Sequence, residues 1–237
     1  MTARAPEPSR GWNPPKPPCD TAAGPFSPHT VTAAYDTVAE DYASMFGNDL
    51  AQLSVDRLIL DAAAARIRHG VVVDVGSGPG QVSRYLADRG LALVALDLAR
   101  RMLALAGQDV PVSGVCADMR RFPLRSDSCA GAIAFYSLQH VRRQELPVVF
   151  TELRRVLRPG GVLAVATHLG DGEVCVTEFL GHTVPPLGGT LHDELELEQQ
   201  LLRHSFTIVE RRRRNPLPHE YPSQRLYVLA ELRIAGS

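Results

Sequence analysis

The chain has 237 residues, 45% of them hydrophobic, and a formal net charge of −1. That length suits one α/β domain with a sizeable core and is short for two, and the near-neutral charge offers no global basic field to nucleic acid or an anionic membrane. No run reaches about 18 uninterrupted apolar residues and the proline-rich start lacks the apolar middle of a signal peptide, so the cytoplasm is the default compartment.

Residues 1–28 carry Pro6, Pro8, Pro14, Pro15, Pro17, Pro18, Pro25 and Pro28 among small and polar residues. Proline blocks helix and sheet ladders alike, which predicts a disordered tail before a domain at 29–237. From Thr30 apolar residues recur three and four apart (Val31, Ala34, Tyr35, Val38, Tyr42, Phe46), the spacing of one helical face. A second helix is predicted at about 53–69, stopped by Gly70. Apolar, β-branched runs follow at 71–75, 91–96, 112–116, 130–136 and 161–167, separated by helical or turn-rich segments. That alternation predicts a parallel sheet covered on both faces. Residues 169–191 then hold so many glycines and prolines that an irregular, lid-like insertion is expected. A helix near 192–204, with its acidic start at Asp193 to Glu198, and strands near 206–212 and 224–232 complete the chain. Cys19, Cys116, Cys129 and Cys175 lack metal-site spacing and are expected as small buried hydrophobes.

Chemistry enters where the run 71–75 meets Gly76, Ser77, Gly78, Pro79 and Gly80 before a helix at Gln81. Glycines let backbone approach a ligand closely, and free amides at a helix start favour an electron-rich group. Asp97 ends the next strand, 21 positions beyond Gly76, where a carboxylate accepts ribose hydroxyls in NAD and adenosylmethionine sites alike. The dinucleotide fingerprint wants its last glycine at the position of Gln81, so NAD is disfavoured.

With these motifs the chain resembles the class I S-adenosylmethionine-dependent methyltransferases, in particular the small-molecule enzymes related to the ubiquinone and menaquinone methyltransferases. The resemblance spans about 31–232. It implies a Rossmann-like, seven-stranded, mostly parallel sheet whose last strand inserts antiparallel, with S-adenosylmethionine at the strands' carboxyl ends and S-adenosylhomocysteine as product. By resemblance, Asp74, Gly76, Ser77, Gly78 and Gly80 form the cofactor loop and Asp97 binds the ribose. Leu98 and Met102 pack on adenine; Asp118 accepts from its amino group and Met119 offers a backbone amide. Arg154 to Gly161 matches the family's helix-to-strand turn before strand five. Ala99 departs from the family's usual serine, leaving the next helix without its hydroxyl cap, so that Asp97 or water must serve.

The cofactor's sulfonium is an activated methyl donor, so the protein mainly aligns a nucleophile and excludes water. A base is needed only if the acceptor holds its proton. His140, after strand four, and His168, after strand five, are the candidates, as base or as substrate contacts; otherwise His140 caps a helix or meets solvent and His168 is a hydrogen-bonded rim residue. Tyr136 is assigned to both cofactor and acceptor, Tyr42 to the cofactor, and Tyr35, Glu178 and His182 to the acceptor. Residues 135–140 hold no carboxylate, so no metal is expected, and no Asn- or Asp-Pro-Pro-aromatic sequence of the base-methylating enzymes occurs. The run Arg211 to Arg214 is read as a solvated strand edge.

The expected function is thus methyl transfer to an oxygen, nitrogen or carbon of a small molecule in biosynthesis, by a monomer or homodimer with no nucleic-acid or membrane partner. The alternatives are a cofactor-retaining scaffold or cyclase-like catalyst that moves no methyl, and protein methylation, which would need a peptide groove.

Overall fold

The structure, a computed structural model, describes residues 24–107, 112–218 and 220–234. Helices α1 (Pro28–Phe46) and α2 (Ser54–Arg66) precede β1 (Val71–Val75), α3 (Gln81–Ala87), β2 (Ala92–Asp97), α4 (Arg100–Ala106), β3 (Ser113–Cys116) and β4 (Cys129–Phe135). Then follow α5 (Leu146–Val156), β5 (Leu157–His168), β6 (Gly172–Phe179), β7 (His182–Leu191), α6 (Glu194–Arg203), β8 (Phe206–Arg214) and β9 (Arg225–Leu232).

Seven strands form one sheet in the order β3-β2-β1-β4-β5-β9-β8. The first five are parallel, and β9 inserts antiparallel between β5 and β8. Because side chains alternate across a strand, Val72 and Val73 enter opposite layers. Val73 joins Phe150, Leu153, Leu201 and Phe206 beneath α5 and α6. Val72 joins Ile59, Leu60, Val82 and Leu86 beneath α2 and α3. Every residue of β4 is buried, as a central strand covered twice requires. At the edge, β8 alternates buried and open positions instead. Its Arg211, Arg212 and Arg213 pair with Glu194, Glu198 and Glu210, the solvated edge expected, whereas Arg214 turns inward to Tyr227 and Glu220.

Besides shifts of a few residues at element ends, among them β5, which begins at Leu157 and takes in the turn expected before it, two regions differ from the sequence reading. Residues 1–23 of the expected tail lie outside the described residues, but 24–28 are seated in the domain. Phe26 is buried, the Pro25 carbonyl accepts from the Gly188 amide at 2.8 Å, and Ser27 caps α1 at the Thr30 amide. Pro28 suits the first helical turn, where its missing N–H has no intrahelical role. The second difference is the glycine- and proline-rich stretch, which folds as a regular antiparallel hairpin, β6–β7. A two-stranded ribbon has two free edges, so Pro185 and Pro186 interrupt no central ladder. A Cβ at Gly188 would stand 2.7 Å from the Phe26 ring, so the hairpin closes on the start of the domain only with glycine there. Among the described cysteines Cys129 is buried and free as expected, Cys175 is buried but disulfide-bonded, and Cys116 is exposed, while Cys19 lies outside the described residues.

The missing hydroxyl at Ala99 is compensated from a distance. Asp97 Oδ1 accepts the Ala99 amide, and Asp36 of α1, 65 residues upstream, accepts the Arg101 amide at 3.1 Å, the second helical N–H of α4. Asp36→Ala is therefore expected to cost about 1 kcal/mol in urea unfolding, and adding Ala99→Ser should return most of it. An unchanged midpoint for Asp36→Ala would show that this contact caps nothing.

Candidate cofactor and acceptor site

The loop after β1 is tied to the end of β2. Gly76 and Ser77 both donate backbone N–H to the Leu96 carbonyl, at 2.7 and 3.0 Å, and Gly80 donates to Ser77 at 3.1 Å. Gly78 donates to Asp97 Oδ2 at 2.8 Å. These amides set the loop's shape and are not free for a ligand; the amides the sequence offers to one are those at the start of α3. A carboxylate has about four acceptor positions. The Gly78 and Ala99 amides use two, and the others remain for a pair of vicinal hydroxyls. Burial pushes the Asp97 pKa up, and its amide bonds oppose that shift.

Crowding and unmet polarity mark the same place. A Cβ at Gly76 would stand 2.3 Å from the Ser137 side chain, so the loop and the segment after β4 touch only because Gly76 has none. At Gly78 the nearest atom is a Tyr42 ring carbon at 4.0 Å, leaving room above the loop. Ser77 Oγ, Gln81 Oε1, Ser137 Oγ and Gln139 Oε1 are buried without a hydrogen-bond partner. Orphaned buried oxygens cost stability in an unliganded chain, so those of Ser77, Gln81 and Ser137 around one loop fit a polar ligand such as the amino-acid end of adenosylmethionine. Asp74 lies beneath the loop, accepting from the Ser83 hydroxyl at 2.6 Å, and burial raises its pKa to about 7.

On the adenine side the expectations divide. Leu98 packs beside the aromatic residues of α1, and Met102 is buried between α4 and α1 with Ala39. Met119 is buried in the main core. Asp118, expected to accept from adenine, is forked by its neighbour Arg120 at 2.7–3.0 Å, and Arg120 also reaches Glu145 at 3.1 Å. Most of its acceptor capacity is therefore already engaged.

Above the loop, α1 and the hairpin bring an aromatic group together. Tyr35 lies edge-on to Tyr42, His140 and Phe179, with centroids 5.7, 5.1 and 5.9 Å away. His140 Nδ1 is 2.9 Å from the Gly188 carbonyl, which can only accept, so Nδ1 carries the proton. The Nε2 lone pair then receives the Tyr35 hydroxyl at 2.6 Å. Burial lowers the His140 pKa to about 4 and raises that of Tyr35 well above 10, so both are neutral at pH 7. His140 is thus half-buried, with both ring nitrogens engaged, by Gly188 and by Tyr35.

The other acceptor candidates are not brought to this pair. Glu178 is exposed on β6. His182 holds the hairpin to α1 through Asp41, at 2.6 Å. His168 bonds Ser223 at 2.9 Å between the Tyr136 and Tyr221 rings, the rim role named as its alternative, and burial lowers its pKa to about 3. The Tyr136 phenol is committed to Asp56, at 3.0 Å, and Tyr227, at 2.7 Å. Sequence reasoning missed Phe179, Asp36, Asp56 and Tyr227; a carboxylate on the apolar side of α2 was the one available signal for Asp56. Among the described residues no group of three His, Cys, Asp or Glu could hold a metal ion, and no helix is long and apolar enough to cross a membrane.

Residues 73–165 match a family model described as a methyltransferase domain. Demethylmenaquinone methyltransferase of Renibacterium salmoninarum is 31% identical over 169 residues, covering 68% of this chain and 69% of that protein. The chain belongs to the S-adenosylmethionine-dependent methyltransferase family. Malonyl-acyl-carrier-protein O-methyltransferase of Enterobacter lignolyticus is 36% identical over 148 residues, 62% of this methyltransferase, which spans 57% of that protein's length. Magnesium protoporphyrin IX methyltransferase ChlM of Synechocystis, solved with its S-adenosylmethionine, superposes at a TM-score of 0.68 with 16% identity. That alignment covers 90% of the methyltransferase and 100% of its neighbour, a likeness of fold.

Proposed function

We propose that this methyltransferase transfers a methyl group to an oxygen, nitrogen or carbon of a small molecule seated between the glycine loop and the β6–β7 hairpin, without a metal. The observation that carries the reading is the Tyr35–His140 pair, one edge of the aromatic group over the loop that fits the cofactor. The bound cofactor supplies a methyl already activated on sulfur. Asp97 holds the ribose through the acceptor positions its amide bonds leave open, Leu98 and Met102 flank the base, and the polar side chains Ser77, Gln81 and Ser137 receive the amino-acid end. Asp118 contributes to adenine beside Arg120.

On the acceptor side, Tyr35, Phe179, Leu180 and Val176 form an apolar wall. His140 is the candidate base, with its Nε2 lone pair aimed at Tyr35. Shielding by Tyr35 keeps it a weak base, near pKa 4; an acceptor that displaces the tyrosine hydroxyl takes its place at Nε2. His168, His182 and Glu178 are secondary candidates, as wall or hairpin residues. The relatives named for malonyl-acyl-carrier protein and for demethylmenaquinone differ too much in acceptor for their names to choose one here. The reading keeps a cytoplasmic monomer or homodimer with no nucleic-acid partner.

Incubation with methyl-labelled S-adenosylmethionine and metabolite extracts should place label on a small molecule. Firm cofactor binding with no transfer to any extract would instead favour the non-methylating scaffold or cyclase-like alternative. A second expectation concerns His140 itself: its ring should titrate near pH 4 by NMR, and Tyr35→Ala, by admitting water, should raise that value toward the ordinary one, about 6.5. An unshifted titration in Tyr35→Ala would remove the shielding argument.

A further inference from the structure

We infer that Asp56, in the first turn of α2, is a positioning residue for the donor site. The inference rests on the family assignment and not on the acceptor proposed above. Asp56 is 1% exposed, and its carboxylate accepts from the Tyr227 phenol at 2.6 Å and the Tyr136 phenol at 3.0 Å. Arg214 donates to the Tyr227 oxygen at 3.0 Å and is itself forked by Glu220 at 2.7 and 2.8 Å. A buried carboxylate reached by two phenols and backed by an Arg–Glu pair is costly to assemble and strongly directional once assembled. The methyl-transfer chemistry itself makes no use of it.

Its consequence lies at Tyr136. This residue has φ +53°, a left-handed backbone that a bulky side chain adopts only when its surroundings hold it there. Three contacts hold it: its amide donates to Ala166 at 2.8 Å, and its phenol is anchored on Asp56 at 3.0 Å and on Tyr227 at 2.7 Å. The reversal turns the chain off β4 so that Ser137 packs directly against Gly76 and the turn Leu138–His140 delivers His140 to Tyr35. Asp56, 80 residues before Tyr136, therefore sets where the segment after β4 meets the cofactor loop. Its partner Tyr227 reaches the same carboxylate from β9, so the clamp ties α2, β4 and β9 at one end of the sheet.

Calorimetry with S-adenosylhomocysteine tests this without any acceptor. At a temperature well below each variant's Tm, Asp56→Ala should weaken binding about tenfold, because the competent Tyr136 conformer becomes a minor population. Asp56→Asn, which keeps one acceptor oxygen and gains a donor for the other phenol, should stay within about threefold of wild type. Ile59→Val, on the same helix and fully buried, should lower Tm with affinity unchanged. The His140 ring resonances should move in Asp56→Ala and not in Ile59→Val. Should Asp56→Ala fail to fold, Tyr227→Phe decides, with several-fold weaker binding expected. Wild-type affinity in whichever of these two variants is read would overturn the inference and leave Asp56 a stability residue only.

Discussion

Asp97→Ala is expected to weaken S-adenosylhomocysteine binding by roughly 10² to 10⁴ in calorimetry, from the loss of two hydrogen bonds to a charged acceptor at about 1.5–3 kcal/mol each. The same carboxylate does two jobs. Its Oδ2 shapes the loop through Gly78 and its Oδ1 accepts the Ala99 amide before α4, while the remaining acceptor positions are the ones proposed for the ribose. Asp97→Asn separates these roles, since one oxygen survives and the new amide repels a neighbouring N–H. Its loss should be intermediate, with a clear drop in Tm from the disturbed loop. Binding within twofold of wild type for Asp97→Ala would mean that the nucleoside lies elsewhere, and the site described here would go with it.

The parts of the fold legible in the sequence are those whose signal is local. Strands β1, β2, β4 and the 162–167 part of β5 are mostly buried, so each reads as a largely apolar run, interrupted in β1 by Asp74. Helix α6 announces itself through Asp193, which accepts the Glu196 amide at 3.0 Å, and the acidic turn that follows. The insertion of β9 between β5 and β8 is different: nothing in residues 225–232 specifies an antiparallel place, and that expectation came from resemblance alone.

What was not legible depends on distant partners. The hairpin's glycines and prolines have no regular period, and its register with Phe26 and α1 is set by contacts a local pattern does not encode. Ala99 looked like a defect because its substitute, Asp36, lies a whole element away. Asp56 was passed over because a carboxylate in a helix is ordinarily a solvent-facing residue, and only the fold brings two tyrosines and an arginine to it. The cofactor loop was the reverse case. Its residues stand out by their motif, but the hold of Leu96 and Asp97 on their amides depends on a neighbouring strand that the motif does not name.

Asp74, beneath that loop, carries the second large expectation. Burial raises its pKa to about 7 although the Ser83 hydroxyl works against the rise. An unfolded chain titrates this group near 3.9 or so, at about 1.4 kcal/mol per unit of difference. The folded state holds the proton more tightly, so the group adds stability as pH falls from about 7 toward 4 and removes it as pH rises through that window. The charge penalty on folding is then about 4 kcal/mol at pH 8 and about 1–2 kcal/mol at pH 5. Asn in its place cannot ionise and still accepts from Ser83, but its buried amide hydrogens lack a partner, at about 1–3 kcal/mol at either pH. Asp74→Asn should therefore be more stable than wild type by about 2 kcal/mol at pH 8, an advantage that vanishes or reverses by pH 5. The change between the two conditions, roughly 2–3 kcal/mol, does not depend on the amide's cost, and urea unfolding at both values reads it directly. A difference that stays constant with pH would mean that the carboxyl titrates normally, and hence that water reaches the underside of the glycine loop.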